Sequence, residues 1–397
     1  MSWEKTSLRD LVLNLTSGGR PKGGSIDRGI FSIGAEHLDG NGGFDLSNGK
    51  YIPLDYYNSI GKGKIKANDI LLVKDGATTG KASFVSSDFP LADAAINEHV
   101  FRIELKEDLI YPKYCFYFLV STEGQKNIMS DFRGATVGGI SKSILDKIQI
   151  PLPPLATQKR IAEILDSADA LMRKDQELLK KYDELAQVIF INMFGDPVKN
   201  DKGWEVKTIK STTNILTYGL TVRPKYIDKG FPLISARELR KGFVNFEDAP
   251  KISHADFSKL SDKCKPQKGD ILFSKTGSIG LSAIVDSSQE FAVTQNAARI
   301  NFKNEFYETY FIYALLRQES FINKCVSLVK GNAVKDLQLG DFSEIEIICP
   351  PISKQIKFSE ISRKTNELIK NSKDNSIVSD HLFNSLIQKA FNGELVS

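Results

Sequence analysis

KANDILLVKDGATTG at residues 66–80 is written a second time, as QKGDILFSKTGSIG at residues 267–280. Asp69, Ile70, Leu71, Lys74 and Gly76 recur as Asp270, Ile271, Leu272, Lys275 and Gly277, a constant offset of 270 − 69 = 201. Gly80 then recurs as Gly280, one residue short of that offset. The same duplication extends in both directions. Trp3-Glu4 recurs as Trp204-Glu205, again 201 residues on. Further along, the offset settles at 331 − 134 = 197: Gly134 matches Gly331, Val137 matches Val334, and Ile148 and Ile150 match Ile345 and Ile347. Pro153-Pro154, Gln158 and Phe194 match Pro350-Pro351, Gln355 and Phe391 at that offset. Each copy is half of a 397-residue chain. Units of that length exclude a solenoid of short repeats and predict two domains of one fold.

Both copies have the same internal order. Short β-type runs come first, ILLV at 70–73, HVFRI at 99–103 and IQIPL at 148–152, punctuated by GNGG at 40–43 and GKG at 61–63. A helical segment follows at 111–129 and again at 307–325. The Pro-Pro step ends the region, since proline terminates strands and sets an extended entry.

After each Pro-Pro comes a long helix. Residues 157–194 hold no Gly or Pro and are dense in strong helix formers. Ile164, Leu171, Leu178 and Leu185 recur every seven residues, with Ala168, Tyr182 and Ile189 between them, a coiled-coil-like stripe. At 1.5 Å per residue the helix would be roughly 55 Å long. Gly195-Asp196-Pro197 stops it. In the second copy, residues 353–391, the pattern continues through Ile361, Leu368, Leu382, Leu386 and Ala390. Asn375 stands where Leu178 stood, so a local break is expected near 373–376. Such stripes need a partner. The economical one is the other helix of the same chain, packed antiparallel, with a module at each end and an internal pseudo-two-fold axis. The alternative is that each helix lies on its own domain. The expected fold is α+β: two similar, mixed β-rich domains at 1–153 and 196–350, separated by two long antiparallel coiled-coil helices at 154–195 and 351–397.

The balance of 53 Lys+Arg against 49 Asp+Glu, net +4, permits nucleic-acid binding without demanding it. No apolar run approaches the ~20 residues of a membrane span. The start, MSWEKTSLRDL, lacks the layout of a secretory signal, so a cytoplasmic location is expected. Cys115, Cys264, Cys325 and Cys349 are scattered and read as buried free thiols. His37, His99, His254 and His381 have no zinc-site spacing. Asp201 with Glu205-Val206-Lys207 has the residue types of a metal-dependent nuclease, but the spacing is too short and the segment is a linker. GATTGK at 76–81 has one residue too few between its glycines for a phosphate loop, and Ala82 stands where a hydroxyl should hold magnesium. Asn97-Glu98-His99 becomes Thr294-Gln295-Asn296 in the second copy, which reads as polar strand residues rather than a shared catalytic set. No Asn-Pro-Pro-aromatic motif and no Gly-rich dinucleotide loop occurs. No catalytic centre, cofactor site or metal site is expected.

PLPPLATQKRIAEIL (151–165), MFGDPVKNDKGWEVKTI (193–209), SLIQKAFNGEL (385–395), TSGGRPK (16–22) and the two segments around Asp69 and Asp270, in their joint order along the two copies, resemble the specificity subunit of Type I restriction-modification enzymes. The resemblance covers essentially the whole chain. It implies that each module is a target recognition domain reading one half of a split double-stranded DNA site. It implies that the helices set the half-site separation and dock two modification (methyltransferase) subunits. Those partners would carry S-adenosylmethionine, and a restriction subunit using ATP and magnesium would join them. The chain departs from the pattern where it reads GGRPK in place of Gly-Gly-Thr-Pro, and where TYGLTVRPK (217–225) lacks the paired glycine.

Base readout uses Arg, Lys, Asn, Gln, Ser and Thr, while Lys and Arg also position the phosphate backbone. Candidates are the polar and basic residues of the Gly-rich loops. Arg20 and Lys22 correspond to Arg223 and Lys225; Lys74, Thr78 and Thr79 to Lys275 and Ser278. Arg133 and Lys142 in the first copy and Lys330, Asn332 and Lys335 in the second form a third group. The plainer account is that shared Gly and Asp residues form turns and the lysines are solvated. For the whole chain, the alternative to a DNA reader is a protein-binding scaffold built on its coiled coil.

Overall fold

Ile70, Leu71, Leu72 and Val73 are apolar at every position because both faces of their strand are covered. Side chains alternate across a strand. Ile70 and Leu72 enter one core with Phe101, Ile103, Tyr114 and Phe118. Leu71 and Val73 enter a second with Phe31, Ile33, Ile96 and Val100. The computed structural model describes residues 3–134, 138–222, 224–239, 242–329 and 335–396, apart from the side chain of Asp183. The chain divides into two compact units, residues 1–176 with 375–397, and residues 177–374.

In the first unit, strands Val12–Ser17, Val100–Leu105, Ile70–Val73 and Ala82–Phe84 form an antiparallel sheet in that order. A second sheet has Ile30–Ile33 at its centre, antiparallel to Tyr51–Ile52 and parallel to Ala94–Ile96. Lys5–Ser7 pairs with Gln149–Pro151, which ties the beginning of the module to its end. The second unit repeats the plan. Thr213–Tyr218, Ala297–Phe302, Ile271–Ser274 and Ser282–Ile284 form the four-stranded sheet. Phe231–Ile234 lies between Lys251–Ile252 and Ala292–Val293, and Val206–Thr208 pairs with Glu346–Ile348.

Two expectations are corrected. The segment 111–129 is two helices, Pro112–Val120 and Thr122–Met129, because Ser121 ends the first and its hydroxyl accepts the Gly124 N–H to cap the second. Asn97-Glu98-His99 is a turn between strands, not part of one, because the Asn97 side chain accepts the His99 N–H.

The long helices run from Leu155 to Phe194 and from Ile352 to Asn392. The second is unbroken through 373–376, where Ser372, Ser376 and Ser379 are buried along one face. Each helix starts against its own module through the glutamine of the repeat. Gln158 accepts the Tyr111 N–H at 2.8 Å and donates to the Pro153 carbonyl at 2.8 Å. Gln355 accepts the Glu308 N–H at 3.0 Å and donates to the Pro350 carbonyl at 2.7 Å. Each helix ends in the core of the other unit. Phe391 packs on Tyr114 and Phe118 in the first, and Phe194 packs on Phe311 and Phe358 in the second.

The buried seam also differs from the heptad stripe. On the first helix it passes through Ile161, Leu165, Ala168, Met172, Phe190 and Phe194. Ile164 and Leu178 are half-buried, while Leu171 and Leu185 are exposed. On the second helix, Phe358, Ser362, Thr365, Ile387 and Ala390 are buried, Leu386 packs on the first unit's core, and Ile361, Leu368 and Leu382 are exposed. The large aromatic side chains at the modules select the buried face, and Leu171, Leu185, Leu368 and Leu382 are left exposed.

Candidate nucleic-acid interface

Where each central strand ends, three stretches of chain meet by the same backbone hydrogen bonds in both units. The Lys74 N–H donates to the His99 carbonyl, and the Lys74 carbonyl accepts from Ile140. The Gly76 N–H donates to the Gly138 carbonyl. In the second unit Lys275 donates to Asn296 and accepts from Leu337, and Gly277 donates to Lys335. The turn after the central strand is thus fixed between a second turn and a third loop. Gly76 and Gly277 have φ of 94° and 77°, a conformation that favours glycine.

A fourth stretch adjoins from the N-terminal side. An added Cβ on Gly18 would lie 1.8 Å from the Ile96 carbonyl oxygen, and one on Gly219 would lie 1.8 Å from the Val293 carbonyl oxygen. Gly219 is therefore the counterpart of the required glycine. The second of the pair, Gly19, meets only the Tyr56 hydroxyl, and its counterpart Leu220 instead pairs its backbone with Val293 and Gln295.

Most of the predicted residues in the first unit gather at this junction. Arg20 and Lys22 are exposed, and Arg20 stands 3.9 Å from Glu98 in the turn carrying His99. Thr78 and Thr79 are half-exposed, and the Thr79 hydroxyl donates to the Gly76 carbonyl. Arg133 and Lys142 are exposed on the third loop. Lys74 is drawn to Asp75 at 3.5 Å and lies over the Phe101 ring. In the second unit Lys225, Ser278 and Lys335 are exposed. Arg223, Lys330 and Asn332 lie outside the described residues. Lys275 is a correction: it is 8% exposed, and its ammonium is bound to Asp336 at 2.6 Å, so it braces the junction instead of presenting a free cation.

The third loop of the first unit is organised by buried Asp131. Its carboxylate accepts the Ser141 N–H and hydroxyl at 2.7 and 3.0 Å and the Ser143 hydroxyl at 2.8 Å, and pairs with Lys147 at 2.8 Å. Burial pushes this carboxyl up, but Lys147 and the serine donors outweigh it and hold it well below the usual range. A depressed folded-state pKa stabilises the fold above the unfolded value, near pH ~4, and that contribution fades as pH falls below it. Asp131→Asn is therefore expected to cost on the order of 1–3 kcal/mol at pH 7. The gap from the parent should narrow at pH 3. Denaturant melts at the two pH values test this, and a gap that widens in acid refutes it.

Sequence reasoning missed a buried ion pair at the start of each central strand, at the end opposite the junction. Asp69 meets Arg102 at 2.5 Å, and Asp270 meets Arg299 at 2.6 Å. Both carboxylates also accept a backbone N–H, from Lys66 and Gln267. The signal was present, because Arg102 and Arg299 recur at 299 − 102 = 197, inside strands otherwise read only for their apolar residues. The linker residues behave as linker residues. Asp201 accepts the Asp196 N–H, and Glu205 pairs with Lys207. His37 bridges the Gly34 N–H and the Asn48 carbonyl. Among the described residues no His, Cys, Asp and Glu side chains group as metal ligands, and no helix is long and apolar enough to cross a membrane.

A solved structure has a similar fold. The Type I restriction-modification system S subunit from M. genitalium superposes with a TM-score of 0.59 at 16% identity, over 98% of this chain and 96% of that one. That likeness shows the fold. The model of the Type I restriction modification DNA specificity domain matches twice, at residues 3–181 and 201–377, so the chain belongs to that family and carries two such domains. The Type I restriction enzyme EcoBI specificity subunit of Escherichia coli is 26% identical over 339 residues, 77% of this chain and 70% of the relative. The MjaIX specificity subunit of Methanocaldococcus jannaschii is 27% identical over 317 residues, 74% of this chain and 72% of the relative.

Proposed function

We propose that this chain is the non-catalytic, cytoplasmic DNA-reading subunit of a Type I restriction-modification complex. The observation that carries the reading is the junction built twice by equivalent backbone bonds, with different side chains around it. Modules 1–153 and 196–350 each read one half of a bipartite site. Because the modules differ, the halves differ. Arg20, Lys22, Thr78, Thr79, Arg133 and Lys142 serve the first half. Lys225, Ser278 and Lys335 serve the second, joined by Arg223, Lys330 and Asn332. Lys74 and Lys275 hold the loops. The helices at 154–195 and 351–397 pair antiparallel, set the gap between the halves and receive two modification subunits. S-adenosylmethionine belongs to those partners, and ATP and magnesium to the restriction subunits.

The exposed apolar stripe supports the docking role. Leu171 and Leu185 on one helix and Leu368 and Leu382 on the other each expose nearly half their surface. Large apolar side chains repeated on one face mark a protein-binding surface. Serine at Leu171 and Leu185 is expected to leave the melting temperature unchanged and weaken complex formation by about 2 kcal/mol or more, roughly 30-fold. The stripe would equally serve a scaffold that reads no DNA. Coexpression with a modification subunit from the same genome, followed by mapping of methylated adenines, separates the two. A split motif with unlike halves and a fixed gap is expected, and exchange of residues 1–150 should alter one half only. A stable complex without a methylated motif would favour the scaffold.

A further inference from the structure

The backbone junction is common to both modules, but the side chains that secure it are not. In the second module Asp336 is the pin. It accepts from the Lys275 ammonium at 2.6 Å, the Thr276 hydroxyl at 2.5 Å and the Gln338 amide at 2.6 Å. Burial raises this carboxyl, yet Lys275 and Thr276 hold it below its ordinary range. The equivalent position in the first module is Gly139, since 336 − 139 = 197, and it offers no carboxylate. The first module uses Asp131 instead, and 131 + 197 = 328 is Leu328, which has no polar group. The carboxylates of Asp131 and Asp336 therefore stand at non-equivalent positions of the third loop, and in the first module Asp75 adds a second carboxylate at the junction, paired with His99 at 2.5 Å.

We infer that Asp336 and Asp131 are positioning residues for DNA readout, each acting on the half-site of its own module alone. The inference rests on the reading of the modules as recognition domains. In the second module the pin joins the first turn, through Lys275 and Thr276, directly to the third loop. In the first it joins Ser141 and Ser143 of the third loop to the short helix bearing Lys147. Both fix side chains that base readout must hold in register. A loosened pin lets the loop sample several positions, which weakens discrimination more than it weakens phosphate contact.

The test uses the full chain assembled with its modification subunits. Parent, Asp336→Asn and Asp131→Asn complexes are measured for binding to the cognate site and to sites with one base changed in either half. Asp336→Asn is expected to reduce discrimination in the second half roughly tenfold while the first half keeps its parental ratio. Asp131→Asn should do the reverse. Thr276→Val, which removes one donor and leaves the ion pair, should give a smaller loss confined to the second half. It also supplies the test if Asp336→Asn does not assemble. Equal loss in both halves, or parental discrimination in every variant, overturns the inference. A parent complex with no preference for any bipartite site refutes the function proposed above instead.

Discussion

Arg299→Met is expected to unfold the second module under conditions where the parent is stable. Asp270 would remain buried with its carboxylate facing a thioether. It would keep the Gln267 N–H and the Asn301 amide but lose the Arg299 cation. Arg299 also donates to the Asp262 carbonyl at 2.7 Å, which would lose that donor. Removing one member of a buried pair costs about 3–5 kcal/mol. A domain has about 5–15 kcal/mol to lose. A unit of this size should melt roughly 10 °C lower. The double variant Asp270→Asn with Arg299→Met should recover much of the loss, because it removes the unpaired charge. Charge alone makes a buried pair no net source of stability, because both ions are taken out of water. In the first module burial pushes the Asp69 carboxyl above its ordinary range even beside Arg102. Breaking the pair is what costs. If the double variant melts no higher than the single one, an unpaired charge is not the cause.

Gly219→Val is expected to be nearly as damaging, by a steric route. Its Cβ would sit 1.8 Å from the Val293 carbonyl oxygen and 2.3 Å from the carbonyl carbon. Backbone cannot move aside as a flexible side-chain tip can, so the loop and strand end must separate. Overpacking typically costs 1–3 kcal/mol, and contact with a fixed carbonyl places this substitution at about 3 kcal/mol or more. Gly18→Val should match it, being 1.8 Å from the Ile96 carbonyl oxygen. Gly19→Ala is the control, because its Cβ meets only the Tyr56 hydroxyl at 2.7 Å. It should melt within about 1 kcal/mol of the parent, since one side-chain tip can swing away. Urea melts of the three variants decide the matter, and equal losses would show that crowding at this junction is not selective.

The amino-acid sequence by itself determined the duplication, the order of strands and helices in each copy, and the place of the two long helices, though not the continuity of the second through 373–376. These are local properties. An apolar run as short as ILLV, closed by a Gly-rich turn, reads as a buried strand by its length and flanks, and thirty or more residues without Gly or Pro continue as helix. It also located the loops that meet at the junction, because the same Gly and Lys residues recur around them. The tertiary structure alone decided which face of each long helix turns inward. Apolar residues stand on two faces of the first helix, and burial of Phe190 and Phe194 beside Phe311 and Phe358 settles which one is covered. On the second helix the inner face carries Ser359, Thr365 and Ser379, which a hydrophobic pattern reads as solvent-facing. Their hydroxyls are satisfied by Glu308 and by the helix's own carbonyls, so they can be buried without penalty. The roles of Lys275 and Asp131 were decided the same way. A lysine in a Gly-rich loop looks free for DNA until Asp336, 61 residues away, is folded against it, because a charge belongs to whichever partner the fold brings within reach.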